Sequence, residues 1–297
     1  MRVSLLSVPM SLGAVRRGVD LGPRAILHAG LAARLCEQGH GVDVLDAIPV
    51  PDLDACAPGD ARLQYLEPIL AATAATARQV KQAIASGALP IVLGGDHSVA
   101  LGSASGVAQA MGPIGLIWID AHGDFNDATT SPSGHIHGMI LAALAGHGDA
   151  VLNDASGPAG HIDPQHIAIV GARSLDPGEK QKLRAARVRV YPMHEIDTRG
   201  LGAVMEDAVR QVSAGTRGVH LSLDLDVVDP AVVTGFGTPV RGGLSYREAH
   251  LAAEMIARSG HLLSLDLVEV NPLLDYANAT AELAAELALS ALGSTIF

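Results

Sequence analysis

Short runs rich in Val, Ile and Leu alternate along this chain with longer Ala-, Leu-, Glu- and Arg-containing stretches of helical period, and that alternation admits few folds. A short apolar run without polar alternation suits a strand covered on both faces, and parallel strands need helical crossovers between them. The pattern predicts an α/β chain, three-layer αβα, doubly wound about an open, mostly parallel sheet of about eight strands. Strands are expected near residues 2–8, 42–46, 89–93, 115–119, 166–170, 188–191, 218–223 and 261–267. The clearest helices are expected at about 23–37, 61–86, 201–213, 246–258 and 279–291, with shorter ones after Ser98, Ile136 and Pro177; Pro68 is a place for a kink. No Pro/Ser-rich linker, repeat or low-complexity block interrupts the pattern, so residues 1–297 are read as one domain.

Composition removes several classes of function. With 48% apolar and only 17% charged residues the chain buries a large core, which sets disorder aside. The net charge of −11, with no basic run, argues against a nucleic-acid partner and fits a cationic small molecule better. Two cysteines, Cys36 and Cys56, are too few for a disulfide framework and point to a reducing compartment. The opening MRVSLLSVPM is too short for a signal-peptide apolar region, and no stretch approaches the roughly 18 apolar residues of a membrane span. A cytoplasmic protein with no membrane partner is expected.

Polar residues crowd the ends of four apolar strands. These are GGDHS at 94–98, DAHGDFN at 120–126, SLDLDVVDP at 222–230 and LDLVEVNP at 265–272. In an open parallel sheet the ligand crevice lies beyond the carboxyl ends of the strands, where chemistry therefore collects. Asp120, His122 and Asp124 fall at i, i+2, i+4, so a strand continuing past residue 119 would point all three to one side. Asp224 and Asp226 repeat the i, i+2 spacing, and His97 brings a further imidazole. A lone Asp or His at a strand end is more often a cap or turn residue. Four carboxylates at contact distance, however, cannot all ionise without cations, and two divalent ions would balance them. Carboxylate and imidazole without thiolate suit Mn²⁺, while ligand type leaves Zn²⁺, Co²⁺, Ni²⁺ and Fe²⁺ open.

These motifs resemble those of the ureohydrolase family and, within it, the arginases. The likeness runs over nearly the whole chain and adds GVDLGP at 18–23, TSPSGHIHGM at 130–139, ARSLDPGE at 172–179 and TGFGTPVRGGLSYRE at 234–248. It implies an arginase/deacetylase-like fold and two Mn²⁺, one held by His97, Asp120, Asp124 and Asp224, the other by Asp120, His122, Asp224 and Asp226. The implied reaction is hydrolysis of the guanidinium group of L-arginine to urea and L-ornithine by a metal-bridging hydroxide. Catalytic roles are then implied for Asp226, for Glu269 as the guanidinium-binding carboxylate, and for His137 as the proton-transfer group. On its residues alone, His137 reads more readily as a histidine capping or packing at the start of the helix near Ile136.

Substrate recognition is implied for Asn126, Ser131 and Ser133 at the α-carboxylate and for Asp176 and Glu179 at the α-amino group. Thr238 would touch the guanidinium or shape its loop. His135 stands where the family usually has Asn; it would donate to the carboxylate, or mark a related guanidino acid as substrate. An agmatinase or guanidinobutyrate-type hydrolase is the alternative. A phosphoesterase reading lacks a GDxxD motif and the later Asn-His pair, and a single-zinc deacetylase reading leaves the extra acidic ligands surplus. The likeness also implies a homo-oligomer, trimer or hexamer. Trp118, the chain's one tryptophan, reads as core packing.

Overall fold

The computed structural model describes residues 1–157 and 159–294. Eight strands form one parallel sheet: β1 (Arg2–Val8), β2 (Gly41–Val44), β3 (Ala88–Gly94), β4 (Gly115–Ile119), β5 (Ile167–Val170), β6 (Arg189–Tyr191), β7 (Val219–Asp224) and β8 (Leu262–Val268). Their order across the sheet is β2-β1-β3-β8-β7-β4-β5-β6.

Eleven helices lie among the described residues: α1 (Gly22–His28), α2 (Leu31–Glu37), α3 (Leu66–Ala85), α4 (Ala100–Met111), α5 (Ile140–Leu144), α6 (Ala150–Ser156), α7 (Pro177–Ala186), α8 (Met193–Arg199), α9 (Leu201–Ser213), α10 (Tyr246–Ser259) and α11 (Ala279–Ala291). They cover the sheet in two layers. Val3, Leu5, Ile117, Ile119, Leu265 and Leu267 pack with α1, α2, α9, α10 and α11, whereas Leu6, Val8, Leu116 and Trp118 pack with α3, α4 and α5. Successive strand residues feed opposite cores, which is why each strand reads as an unbroken apolar run.

Two expected helices are revised. The stretch 23–37 is two helices, because Gly30 takes a left-handed conformation (φ 84°) between them. The stretch 61–86 is helical only from Leu66, which puts Pro68 in the first turn, where its missing N–H has no intrahelical partner to lose. Helices α6 and α8 were not expected. No helix among the described residues is long and apolar enough to cross a membrane.

Spatial order matters most for the site. The four strands that carry the motifs, β3, β8, β7 and β4, are neighbours at the centre of the sheet although they are spread over the sequence. Their carboxyl ends therefore open into one crevice.

Candidate active site

At the tip of β3 the chain passes close under the segment after β1: a Cβ on Gly95 would sit 1.8 Å from the Met10 carbonyl oxygen, so only glycine fits there. Asp96 follows, buried, accepting N–H bonds from Gly13 (2.8 Å) and Ser98 (2.9 Å). That turn drives His97 into the interior. Its ring stacks face to face on Trp118, centroids 3.8 Å apart and planes within 7°. Its Nε2 lies 2.9 Å from Ser222 Oγ, and that hydroxyl lies 3.4 Å from Asp266 Oδ2. Ser222 therefore accepts from the ring and donates onward, while Asp266 also receives Ser103 (2.6 Å) and His220 (3.0 Å). With Nε2 turned to Ser222, His97 presents Nδ1 to Asp120, Asp124 and Asp224 at 3.2–3.3 Å. That buried nitrogen has no hydrogen-bond partner among the described residues.

Strand β4 stops at Ile119, so the i, i+2, i+4 argument holds only in outcome. The chain bends after Asp120 and Asp124 takes a left-handed φ of 49°. The bend brings Asp124 to His97, while His122 turns to Asp226 (3.0 Å) and Asp120 (3.4 Å). After β7, Asp224 caps a short helical turn by accepting the Asp226 N–H (2.8 Å). Asp226 is held further by the Ala121 N–H (3.3 Å) and the Thr238 hydroxyl (2.8 Å). Arg173 clamps the same loop through the carbonyls of Asp226 (2.8 Å), Val227 (3.1 Å) and Val240 (2.7 Å).

Two overlapping groups could each hold a metal ion: His97, Asp120 and Asp224, and Asp120, His122 and Asp226. They share Asp120. Electrostatics favour cations there. Burial, then the neighbouring Asp226 and Asp120, holds Asp224 well above the usual carboxylate range; burial, then Asp120, raises Asp124 to about 6. Burial opposes charge on both histidines, yet the surrounding carboxylates override it and hold His97 and His122 above their ordinary value. Without an ion, protons sit where positive charge is wanted. The orphaned Nδ1 and a donor set of carboxylate and imidazole fit divalent cations.

A cavity of about 210 Å³ opens over these groups. It is lined by Asn126, Ser131, Ser133, His135, His137, Asp176, Glu179 and Thr238, together with His122, Asp124 and Asp224. Glu269 stands beside it at the tip of β8, with a left-handed φ of 64°. Its Oε1 receives the His97 N–H (3.0 Å) and His137 Nδ1 (3.1 Å), leaving Oε2 without a partner among the described residues. Burial pulls His137 down, but Glu269 overrides it and lifts the ring to about 9.

Asn126 donates to Asp176 Oδ2 (3.0 Å), and its own Oδ1 is buried and unpartnered. Glu179 is committed to the backbone, accepting from Phe125 N–H (2.8 Å) and Asp176 N–H (3.1 Å) at the start of α7. Burial raises its carboxyl to about 7. Asp127, the acidic neighbour of Asn126, is paired with Lys182 and accepts from the hydroxyls of Thr129 and Thr130.

Trp118 and Ser222 are among the residues of the site that carried no assigned role in the sequence. Trp118 is more than core packing: it stacks on His97 and its Nε1 donates to Asp120 Oδ2 (2.9 Å). Ser222 sets the His97 tautomer. Each lies on a central strand two residues before a candidate ligand, Asp120 or Asp224, and that spacing is the signal that could have found them. Ser222→Ala is expected to weaken metal binding by about 10–100-fold, read by titration against a competing chelator. Unchanged affinity would mean that Trp118 stacking alone orients the ring.

The arginase family model matches residues 1–293. Arginase from Bacillus caldovelox is 46% identical over 295 residues, covering 99% of each chain. Its native structure at pH 5.6 superimposes with a TM-score of 0.96 at 45% identity, covering 100% of this chain and 99% of that one. Entamoeba histolytica arginase in complex with L-ornithine gives 0.90 at 29% identity, covering 99% and 98%.

Proposed function

The chain belongs to the arginase family, and from that premise we propose that its site hydrolyses the guanidinium group of L-arginine to urea and L-ornithine. The observation that carries this reading is the pair of groups sharing Asp120 beneath a pocket lined by His137, whose ring is held by Glu269. His97, Asp120, Asp124 and Asp224 would hold one Mn²⁺; Asp120, His122, Asp224 and Asp226 would hold the other. Two such cations lower the pKa of water enough to supply hydroxide near neutral pH.

The remaining work falls to side chains. Glu269 Oε2 accepts from the guanidinium, a cation that stays charged at neutral pH and is best held by a carboxylate. His137, protonated beside Glu269, delivers a proton to the departing amine. Thr238 holds Asp226 in place. At the pocket mouth the Ser131 and Ser133 hydroxyls receive backbone N–H bonds from Gly134 (3.0 Å) and His135 (3.3 Å), so their own hydrogens point onward to the α-carboxylate. Asp176 accepts from the α-ammonium; Asn126, expected at the α-carboxylate, instead donates its amide N–H to Asp176 (3.0 Å) and turns Oδ1 to the same ammonium, with Glu179 holding the turn that presents them. We read residues 1–297 as one catalytic domain working in the cytoplasm as a homo-oligomer, trimer or hexamer.

The test is urea release by metal-stripped protein before and after Mn²⁺ reconstitution, with L-arginine, agmatine and 4-guanidinobutyrate side by side. Mn²⁺-dependent urea with L-arginine preferred at least about tenfold in kcat/KM, near 1.4 kcal/mol, is expected. A preference for agmatine, which lacks the α-carboxylate, would overturn the assignment of Ser131 and Ser133, and a preference for 4-guanidinobutyrate, which lacks the α-amino group, that of Asp176 and Asn126.

A further inference from the structure

The pocket that leads to the metal ligands is lined, among the described residues, by no lysine or arginine. Its possible cations are three imidazoles, and two are already engaged: His122 faces Asp226 and Asp120, and His137 faces Glu269. His135 is the third. It has no carboxylate at ion-pair distance among the described residues, its buried Nδ1 has no hydrogen-bond partner, and its ring stands edge-on to His137 at 6.4 Å. Its own N–H donates to Ser133, and Gly134 donates to Ser131, which leaves both hydroxyl hydrogens free beside it. Three side chains of one short loop thus offer donors, and one of them gains a full charge by taking a proton.

We propose that His135 is a proton-coupled clamp for the substrate carboxylate: an anion reaching Ser131 and Ser133 binds together with a proton taken up by the His135 ring. The inference rests on reading this pocket as the arginine site. Its consequence is that affinity for carboxylate-bearing ligands falls as pH rises, whereas affinity for the corresponding decarboxylated amines lacks that loss.

The surroundings set the sign. Burial first, and the charge on His137 second, hold the empty-pocket His135 below the usual histidine value, so it is neutral near pH 7. The other titratable groups lining the same pocket are His122, Asp124 and His137, Asp176 and Glu179 at the start of α7, and Asp224 at the end of β7. On the loop before α3, Arg62 is already paired with Asp60. A carboxylate arriving beside the ring favours its charged form and raises its pKa, so binding takes up a proton. Across the window between the empty and occupied values, the dissociation constant rises with pH by up to about tenfold per unit.

The experiment is calorimetric titration of the Mn²⁺-loaded protein with L-ornithine and with putrescine, which lacks the carboxylate. Each is measured in buffers of different ionisation enthalpy between pH 6.5 and 8. The wild type is expected to take up more protons with L-ornithine than with putrescine, the excess approaching one, and to bind L-ornithine more weakly as pH rises. His135→Asn and, as a second variant, His135→Gln should lose that excess and flatten the pH dependence, with melting temperature and metal content establishing that they are folded and loaded. The same excess in both variants, or none in the wild type, overturns the clamp. Failure of L-arginine to release urea would sink the reading of the reaction instead, since the calorimetry decides the clamp whichever guanidino compound is hydrolysed.

Discussion

Replacing Asp120 by Ala is expected to abolish urea release and to strip metal from both positions, because Asp120 belongs to both ligand groups. Loss of His97, Asp124, His122 or Asp226 takes one donor from one proposed set, whereas loss of Asp120, like loss of Asp224, opens both sets at once. A fall of about 10³-fold or more in kcat/KM, near 4 kcal/mol, is the expected scale. A structural cost accompanies it: the Trp118 indole N–H loses its acceptor inside the core, which costs about 1–3 kcal/mol. Asp120→Asn separates the two effects, since the amide oxygen still accepts from Trp118 while the negative charge is gone. Metal content after dialysis and the melting temperature of the metal-free protein read them independently. Two full equivalents of metal retained by Asp120→Ala would show that the shared ligand is elsewhere.

The second large effect is expected from Glu269→Gln. Glu269 Oε1 joins the His97 backbone to the His137 ring and leaves Oε2 for the substrate cation. An amide keeps the shape and part of the hydrogen bonding but withdraws the charge that both partners need. Removing one partner of a buried charge pair costs about 3–5 kcal/mol, so kcat/KM should fall by roughly 10²–10³-fold or more. The pH profile should move as well. Glu269 is the strongest influence lifting His137 to about 9 against its burial, so His137 in Glu269→Gln falls toward or below its ordinary value. A proton donor with a raised pKa is present below that pKa and lost above it. The basic limb of kcat/KM therefore shifts acidward from near pH 9, measured with L-arginine over pH 6–10. A profile that keeps its basic limb, with kcat/KM within about fivefold of wild type, would dissociate His137 from proton delivery.

Much of this site was legible because the chemistry forces residue types that stand out in an apolar background. An Asp or His at the end of a Val/Ile/Leu run carries no core-packing role, so Asp120, His122, Asp224 and Asp226 announce themselves. The reason given for Asp124 was incomplete. It meets His97 through a bend and a left-handed φ rather than by continued extension, and a single positive φ at a non-glycine residue leaves no pattern in sequence. Trp118 and Ser222 were hidden for the opposite reason: an aromatic and a small hydroxyl both belong in a buried strand without further explanation. Glu179 shows a third limit, since a glutamate three residues after Asp176 suits a helix start and a ligand site equally, and here its oxygens hold backbone N–H groups.

Local composition alone determined the alternation of strand and helix, the parallel sheet buried on both faces, and the polar strand ends. Hydrophobic periodicity acts over a few residues, so it is written where it acts. Only the tertiary structure decided that β3, β8, β7 and β4 lie side by side, and therefore that His97, Asp120 and Asp224, more than a hundred residues apart at the extremes, share one cation-sized space. Strand order follows from how crossovers pack over the whole sheet, a sum over many weak contacts that no short segment encodes. The same holds for charge: each carboxylate is ordinary by itself, and only their burial together raises Asp224 and Asp124 and makes the site one that divalent cations complete.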